Sequence, residues 1–167
     1  VSAGGEVSDV KKVVSPVMVN DDKSSFYHID FSFDTFKLGG SAFAQSLGKV
    51  GDDVPTVQEA EYFRDAFLAV QALINKGLIM AGHDISAGGL ITTLLEMCFA
   101  NVEGGMEISL NKLKEEDIVK ILFAENPGIV IQVKDKHKDE ISKLLEDAGV
   151  GFVKIGKPTD ERHILVT

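Results

Sequence analysis

Gly128-Ile129-Val130-Ile131-Gln132-Val133 is a run of branched apolar residues that reads as a strand. Ile141, Leu144, Leu145 and Ala148 then fall on one helical stripe, and Gly149 supplies the stop. Val150 to Ile155 and His163 to Val166 read as two further strands. The order from Gly128 to Val166 is therefore strand, helix, strand, strand. A second strand signal lies far upstream. In Phe26 to Phe33, Tyr27, Ile29, Phe31 and Phe33 share one parity, so these four are expected to face a core.

Between these ends the pattern turns helical. Thr56 and Glu59 have the spacing of a capping box, and Ala60, Phe63, Phe67, Val70 and Ile74 recur along one face up to Gly77. Leu78 to His83 reads as a buried strand and Ala87 to Ala100 as an apolar helix with Thr92, Thr93 and Glu96 as its polar stripe. Met106 to Leu110 is a short strand, and Glu115 to Phe123 another helix. Gly39-Gly40-Ser41 opens a short helical stretch to Leu47. Residues 1–25 read as a linker or edge segment and 26–167 as one domain. Strands cluster near both ends with helices between, which predicts an α+β layered domain on a mainly antiparallel sheet, its last third partly ferredoxin-like.

Length and composition narrow the function. A chain of 167 residues suits one core, and 44% hydrophobic with 26% charged residues is a globular balance. No apolar run reaches the ~20 residues that cross a bilayer. The formal charge of −9 opposes nucleic-acid binding. Cys98 is the lone cysteine, which suits a reducing, cytoplasmic setting, and the four histidines lack close metal-ligand spacing.

Three stretches could carry chemistry. In Gly82-His83-Asp84-Ile85-Ser86-Ala87-Gly88-Gly89, a strand delivers an acid just before a serine and two glycines turn into a helix. Such a turn lets backbone amides approach an anion, and Asp84 could hold a metal against phosphate. The plainer alternative is that Ser86 caps the helix while the glycines permit close packing. Gly39, Gly40 and Ser41 form a second cradle of this kind, again explicable as an N-cap. Glu125 and Asn126, in Leu122-Phe123-Ala124-Glu125-Asn126-Pro127-Gly128, stand between helix and strand, where they can reach a ligand or simply reverse the chain. Cys98 lies in the most apolar helix and reads as a small hydrophobe rather than a nucleophile. His83 reads as a satisfied strand histidine and Glu96 as an exposed or partner-facing carboxylate.

Taken in series, the motifs say more. L-G-G-S-A-F-A-Q-S-L-G (Leu38 to Gly48), A-V-Q-A-L-I (Ala69 to Ile74), H-D-I-S-A-G-G-L (His83 to Leu90), L-E-M-C-F-A (Leu95 to Ala100), L-F-A-E-N-P-G (Leu122 to Gly128) and I-G-K-P-T-D-E-R (Ile155 to Arg162) follow one another. From about Val10 onward the chain resembles the phosphoribosylformylglycinamidine synthase family. Specifically, it is similar to a C-terminal-type domain of the aminoimidazole-ribonucleotide-synthetase superfamily. The resemblance implies a layered α/β/α fold and a place in purine biosynthesis. Enzymes of that family use ATP, Mg²⁺ and glutamine to convert formylglycinamide ribonucleotide into the amidine.

By the same resemblance, Asp84 corresponds to a Mg²⁺ ligand and Glu125 to an acid that contacts substrate. Gly39, Gly40, Ser41, Ser86, Gly88, Gly89, Glu125 and Asn126 would line a nucleotide or phosphate site. The forms of the motifs resemble the second of the family's two domain copies, where the site is an auxiliary one. An acid usually precedes the two glycines, and here Ala87 stands instead. The expected partners are N-type and glutaminase domains of a parent chain, from which this would be an excised lobe, inert alone. Other ATP-using members of the superfamily, a non-catalytic structural repeat and a small-molecule regulatory module are the remaining readings.

Overall fold

A computed structural model describes residues 4–7 and 9–167; the remaining four, all in the expected N-terminal linker, lie outside the described residues. Eleven regular elements matter here. They are β1 (Ser24–Asp30), α1 (Ala42–Ser46), α2 (Ala60–Asn75), β2 (Ile79–Ile85), α3 (Gly89–Phe99), β3 (Gly105–Ile108), α4 (Ile118–Phe123), β4 (Gly128–Lys134), α5 (Lys138–Asp147), β5 (Phe152–Thr159) and β6 (Ile164–Val166).

The strands form one sheet in the order β2-β4-β1-β5-β3-β6. Every neighbouring pair is antiparallel except β3 with β6. β4 and β5 both run antiparallel to β1, hence parallel to each other, and α5 connects them while β1 fills the gap. That is the split strand-helix-strand unit expected from Gly128 onward. The final strand departs from a hairpin: β6 pairs with β3, not with β5.

Both sheet faces are covered. On one, Phe26, Ala81, Val130 and Ile155 pack with Leu90, Leu94 and Met97 of α3 and Ile121 of α4. On the other, Tyr27, Ile29, Ile131 and Val133 pack with Ala66, Val70 and Leu73 of α2 and Ile141 and Leu145 of α5. Each fully buried large side chain contributes ~1.5–3 kcal/mol relative to exposure. The result is the α/β/α layering on a mainly antiparallel sheet.

Three local expectations are corrected. The first strand ends at Asp30 rather than Phe33, and Phe26 on its other parity is wholly buried. Asp30 causes the break. Its Oδ1 accepts from the amide of Ser32 (2.9 Å) and its Oδ2 from that of Phe33 (2.9 Å), turning the chain. Phe33 is left half-exposed at φ 53°.

The Thr56–Glu59 capping box does not form. Glu59 is the N-cap without a side-chain bond, because the Thr56 amide donates to Asp34 Oδ2 instead (3.3 Å). The buried face of α2 is Ala66, Ala69, Val70 and Leu73, leaving Phe63 and Phe67 partly exposed. Small alanines allow the helix backbone to approach the sheet, which rotates the phenylalanines outward. The last correction is the start of α4. It begins only at Ile118, where the Asp117 carboxylate accepts from the amides of Val119 and Lys120.

The N-terminal segment runs along the outer side of β2. Gly82 donates to the Ser15 carbonyl (3.0 Å), and Met18 donates to Met97 O (2.9 Å) with its side chain buried.

Candidate functional site

The antiparallel register brings the end of β2 beside the start of β4, with Ile85 opposite Gly128. It therefore sets the loop before α3 next to Glu125. The β2–α3 turn needs glycine: Gly88 and Gly89 have φ 93° and 74°, and a Cβ on Gly89 would come within 2.7 Å of the Leu122 carbonyl oxygen. That contact seats the start of α3 directly on the end of α4.

Glu125 joins the three motifs. Its Oε1 accepts from the Gly88 amide (2.8 Å) and from the Ala42 amide (2.8 Å). One carboxylate oxygen thus satisfies a free donor at the start of two helices, α3 and α1, with favourable charge at each. The Phe43 and Phe123 rings stack at 4.7 Å beside this junction.

The remaining predicted residues fall into different roles. Ser41 is the N-cap of α1; its Oγ accepts from Ala44 N (3.2 Å) and donates to Leu38 O (2.7 Å). Gly39 donates to Asp53 O (2.9 Å), and Gly40, at φ 73°, donates to Val50 O (2.6 Å). Ser86 does not cap α3 through its side chain; its carbonyl accepts from Gly89 (3.0 Å). Ser86 and Ala87 are exposed, and among the described residues their amides carry no hydrogen bond.

Asp84 and Asn126 stand apart from the junction. The Asp84 side chain is 75% exposed and lies 3.4 Å from His83 Nδ1. His83 itself is engaged, with Nε2 3.0 Å from Glu96 Oε2 and Nδ1 2.8 Å from Asp84 O. Asn126 is buried and turned toward the β1 turn. Its Nδ2 donates to Thr35 O (2.9 Å) and its Oδ1 accepts from Lys37 N (3.3 Å).

Among the described residues, no group of three or more His, Cys, Asp or Glu side chains could enclose a metal. Asp84 is thus a single exposed ligand, which suits only an ion arriving with phosphate and water ligands. Cys98 is half-buried against Met18, and burial pushes its thiol up, as an inert core thiol requires.

Sequence reasoning missed the support of this end of the sheet. The Tyr62 hydroxyl accepts from the Gly151 amide (2.9 Å) and donates to Asp30 O (3.1 Å), tying α2 to the end of β1 and to the residue before β5. Its partners are 32 and 89 residues away, so no local signal marks it. No helix of the described chain is long and apolar enough to cross a membrane.

Comparison with known proteins adds a lineage to this geometry. Residues 35–167 match the family described as AIR synthase related protein, C-terminal domain. A probable phosphoribosylformylglycinamidine synthase of Arabidopsis thaliana, named chloroplastic/mitochondrial, is 35% identical over 99% of the chain. The Homo sapiens phosphoribosylformylglycinamidine synthase is 31% identical over 93% of it. In both cases the match spans 12% of the relative's own length. Among solved structures, Thermotoga maritima PurL complexed with FGAR superposes with a TM-score of 0.72 at 16% identity, covering 95% of this chain and 27% of that one. The same protein complexed with ATP gives a TM-score of 0.70 at 13% identity, covering 95% and 25%.

Proposed function

The chain belongs to the family of AIR-synthase-related C-terminal domains, and from that premise we propose that it serves as the C-type lobe of a phosphoribosylformylglycinamidine synthase. The parent reaction is the ATP- and glutamine-dependent conversion of formylglycinamide ribonucleotide to its amidine, a carbon–nitrogen ligation in purine biosynthesis. The motif forms favour the second of two C-type copies, so the site is an auxiliary nucleotide site completed by an N-type domain. A glutaminase domain of the same parent supplies ammonia, and the cytoplasm is the compartment we assign.

The observation that carries this reading is the double acceptance at Glu125. By holding Gly88 and Ala42 together, it fixes two glycine turns against each other and leaves the exposed Ser86 and Ala87 amides on one rim. Fixed amides at a helix start suit phosphate oxygens. Asp84, exposed near the end of β2 just before this loop, is the residue that would hold Mg²⁺, which when bound neutralises phosphate charge. Gly39, Gly40 and Ser41 shape the second turn, while Asn126 positions the neighbouring segment.

A structural role is the second reading, favoured by one fact: Glu125 already occupies two of the amides an anion would use. The full-length enzyme separates the two. Asp84→Ala and Glu125→Ala are expected to lower retained nucleotide at least tenfold and to slow ATP turnover. Unchanged nucleotide content with undiminished turnover rejects the binding role and leaves the structural one.

A further inference from the structure

A separate cleft of about 700 Å³ opens where β1 ends, bounded by the following turn, the first turn of α2 and the segment after β3. The size suits a small molecule. His28 stands in its wall, 7% exposed. Among the described residues its ring makes no hydrogen bond, and it borders the cleft. Burial lowers its basicity to about 4, and the neutral ring offers one donor and one acceptor.

The acids in this wall are already committed. Asp30 accepts from Ser32 and Phe33, and Asp34 pairs with Lys37 at 2.9 Å. Lys112 and Lys114, also in the wall, form no ion pair among the described residues. Elsewhere in the same wall the rings of Phe33 and Tyr62 lie 4.9 Å apart. Phe33 holds its place at φ 53°, a conformation bulky residues seldom adopt. Two unpaired point charges, an aromatic wall and one buried unpartnered imidazole share a single space.

The geometry points to a second binding site, for a phosphomonoester that carries a flat ring. Its phosphate meets Lys112 and Lys114, its ring lies on Phe33 and Tyr62, and His28 supplies the hydrogen bond that fixes its orientation. Two ammonium groups favour a dianionic phosphate over a singly charged carboxylate. The site goes beyond the function proposed above and uses none of the residues of the Asp84–Glu125 rim.

The test is titration of the isotope-labelled chain with adenosine monophosphate, followed by nuclear magnetic resonance. Adenosine and inorganic phosphate serve as half-ligands. The expected result is movement of the Phe33, Tyr62 and Gly151 amides and of the His28 ring, with each half-ligand at least tenfold weaker. Lys112→Ala with Lys114→Ala, both on the surface, weakens binding at least tenfold, whereas Lys136→Ala, an exposed lysine outside the cleft, leaves it unchanged. His28→Asn retains more binding than His28→Ala. The inference fails if millimolar nucleotide leaves those signals still, or if the double lysine variant binds as tightly. Movement confined to Gly39–Ser41 and Ser86–Gly89 also overturns it, while supporting the auxiliary site proposed above.

Discussion

Glu125 faces the glycine-turn junction and Asn126 faces the turn after β1, and these adjacent residues hold their regions together by different means. At the junction a partly exposed carboxylate accepts from two amides, on Gly88 and Ala42. Water can replace much of what is lost there. Around Asn126, a buried amide serves Thr35 and Lys37, and Asp30 and Tyr62 continue the network to Gly151. The Asn126 side chain is buried although the turn beside it borders the open cleft, so water replaces its lost bonds less fully. The first region keeps its bonds near solvent, and the second holds the end of the sheet and the wall of the cleft.

The sharpest way to break the junction is steric. Gly89→Ala puts a methyl group against Leu122 O at φ 74°, and we expect a loss of about 4 kcal/mol from strain and overpacking together. Gly77→Ala is the control. It has φ 68° but open space around it, so about 1 kcal/mol is expected. Urea unfolding of both variants measures the difference, and equal losses would show that the Leu122 contact is slack.

On the other side, Asn126→Ala removes the partners of the Lys37 amide and the Thr35 carbonyl. With two part-buried bonds lost, the expected cost is about 2 kcal/mol, read from the same unfolding curves. A loss below about 1 kcal/mol would mean water reaches this turn as readily as it reaches the junction.

The last effect depends on pH. Desolvation holds buried His28 at about 4, below its ordinary 6.5, so the unfolded chain binds the proton more readily between those values. The stability this site contributes is full above pH 6.5 and is lost as the pH falls toward 4. At pH 5 the loss is about 2 kcal/mol. His28→Asn should flatten that part of the curve relative to the parent chain, and an unchanged slope from pH 7 to 5 would contradict the assigned burial.

The sequence showed elements more clearly than their partners. The stripe Ile141–Leu145 and the stop at Gly149 predicted α5, and the branched run from Gly128 predicted β4. The parity reading of Phe26 to Phe33 found a strand but assigned it one buried face, because alternation cannot show that a second helical layer covers the other. Thr56 and Glu59 had capping spacing, yet the distant Asp34 claims the Thr56 amide. A local rule has no access to a competitor 22 residues away.

The candidate site divides in the same way. Its glycine turns and Glu125 were visible as motifs, since tight turns demand particular residue types wherever they occur. The sharing of one carboxylate oxygen between Gly88 and Ala42 was not visible, nor was the withdrawal of Asn126 into the β1 turn. Local backbone chemistry is written over a few neighbouring residues, so composition, periodicity and turn residues by themselves determined which segments would be helix, strand or tight turn. Sheet order decided everything else: it placed β4 between β1 and β2, and so brought Glu125, Gly88, His28 and Tyr62 into their working positions. Hydrogen-bond register acts across the whole chain, and only packing of the complete core selects it.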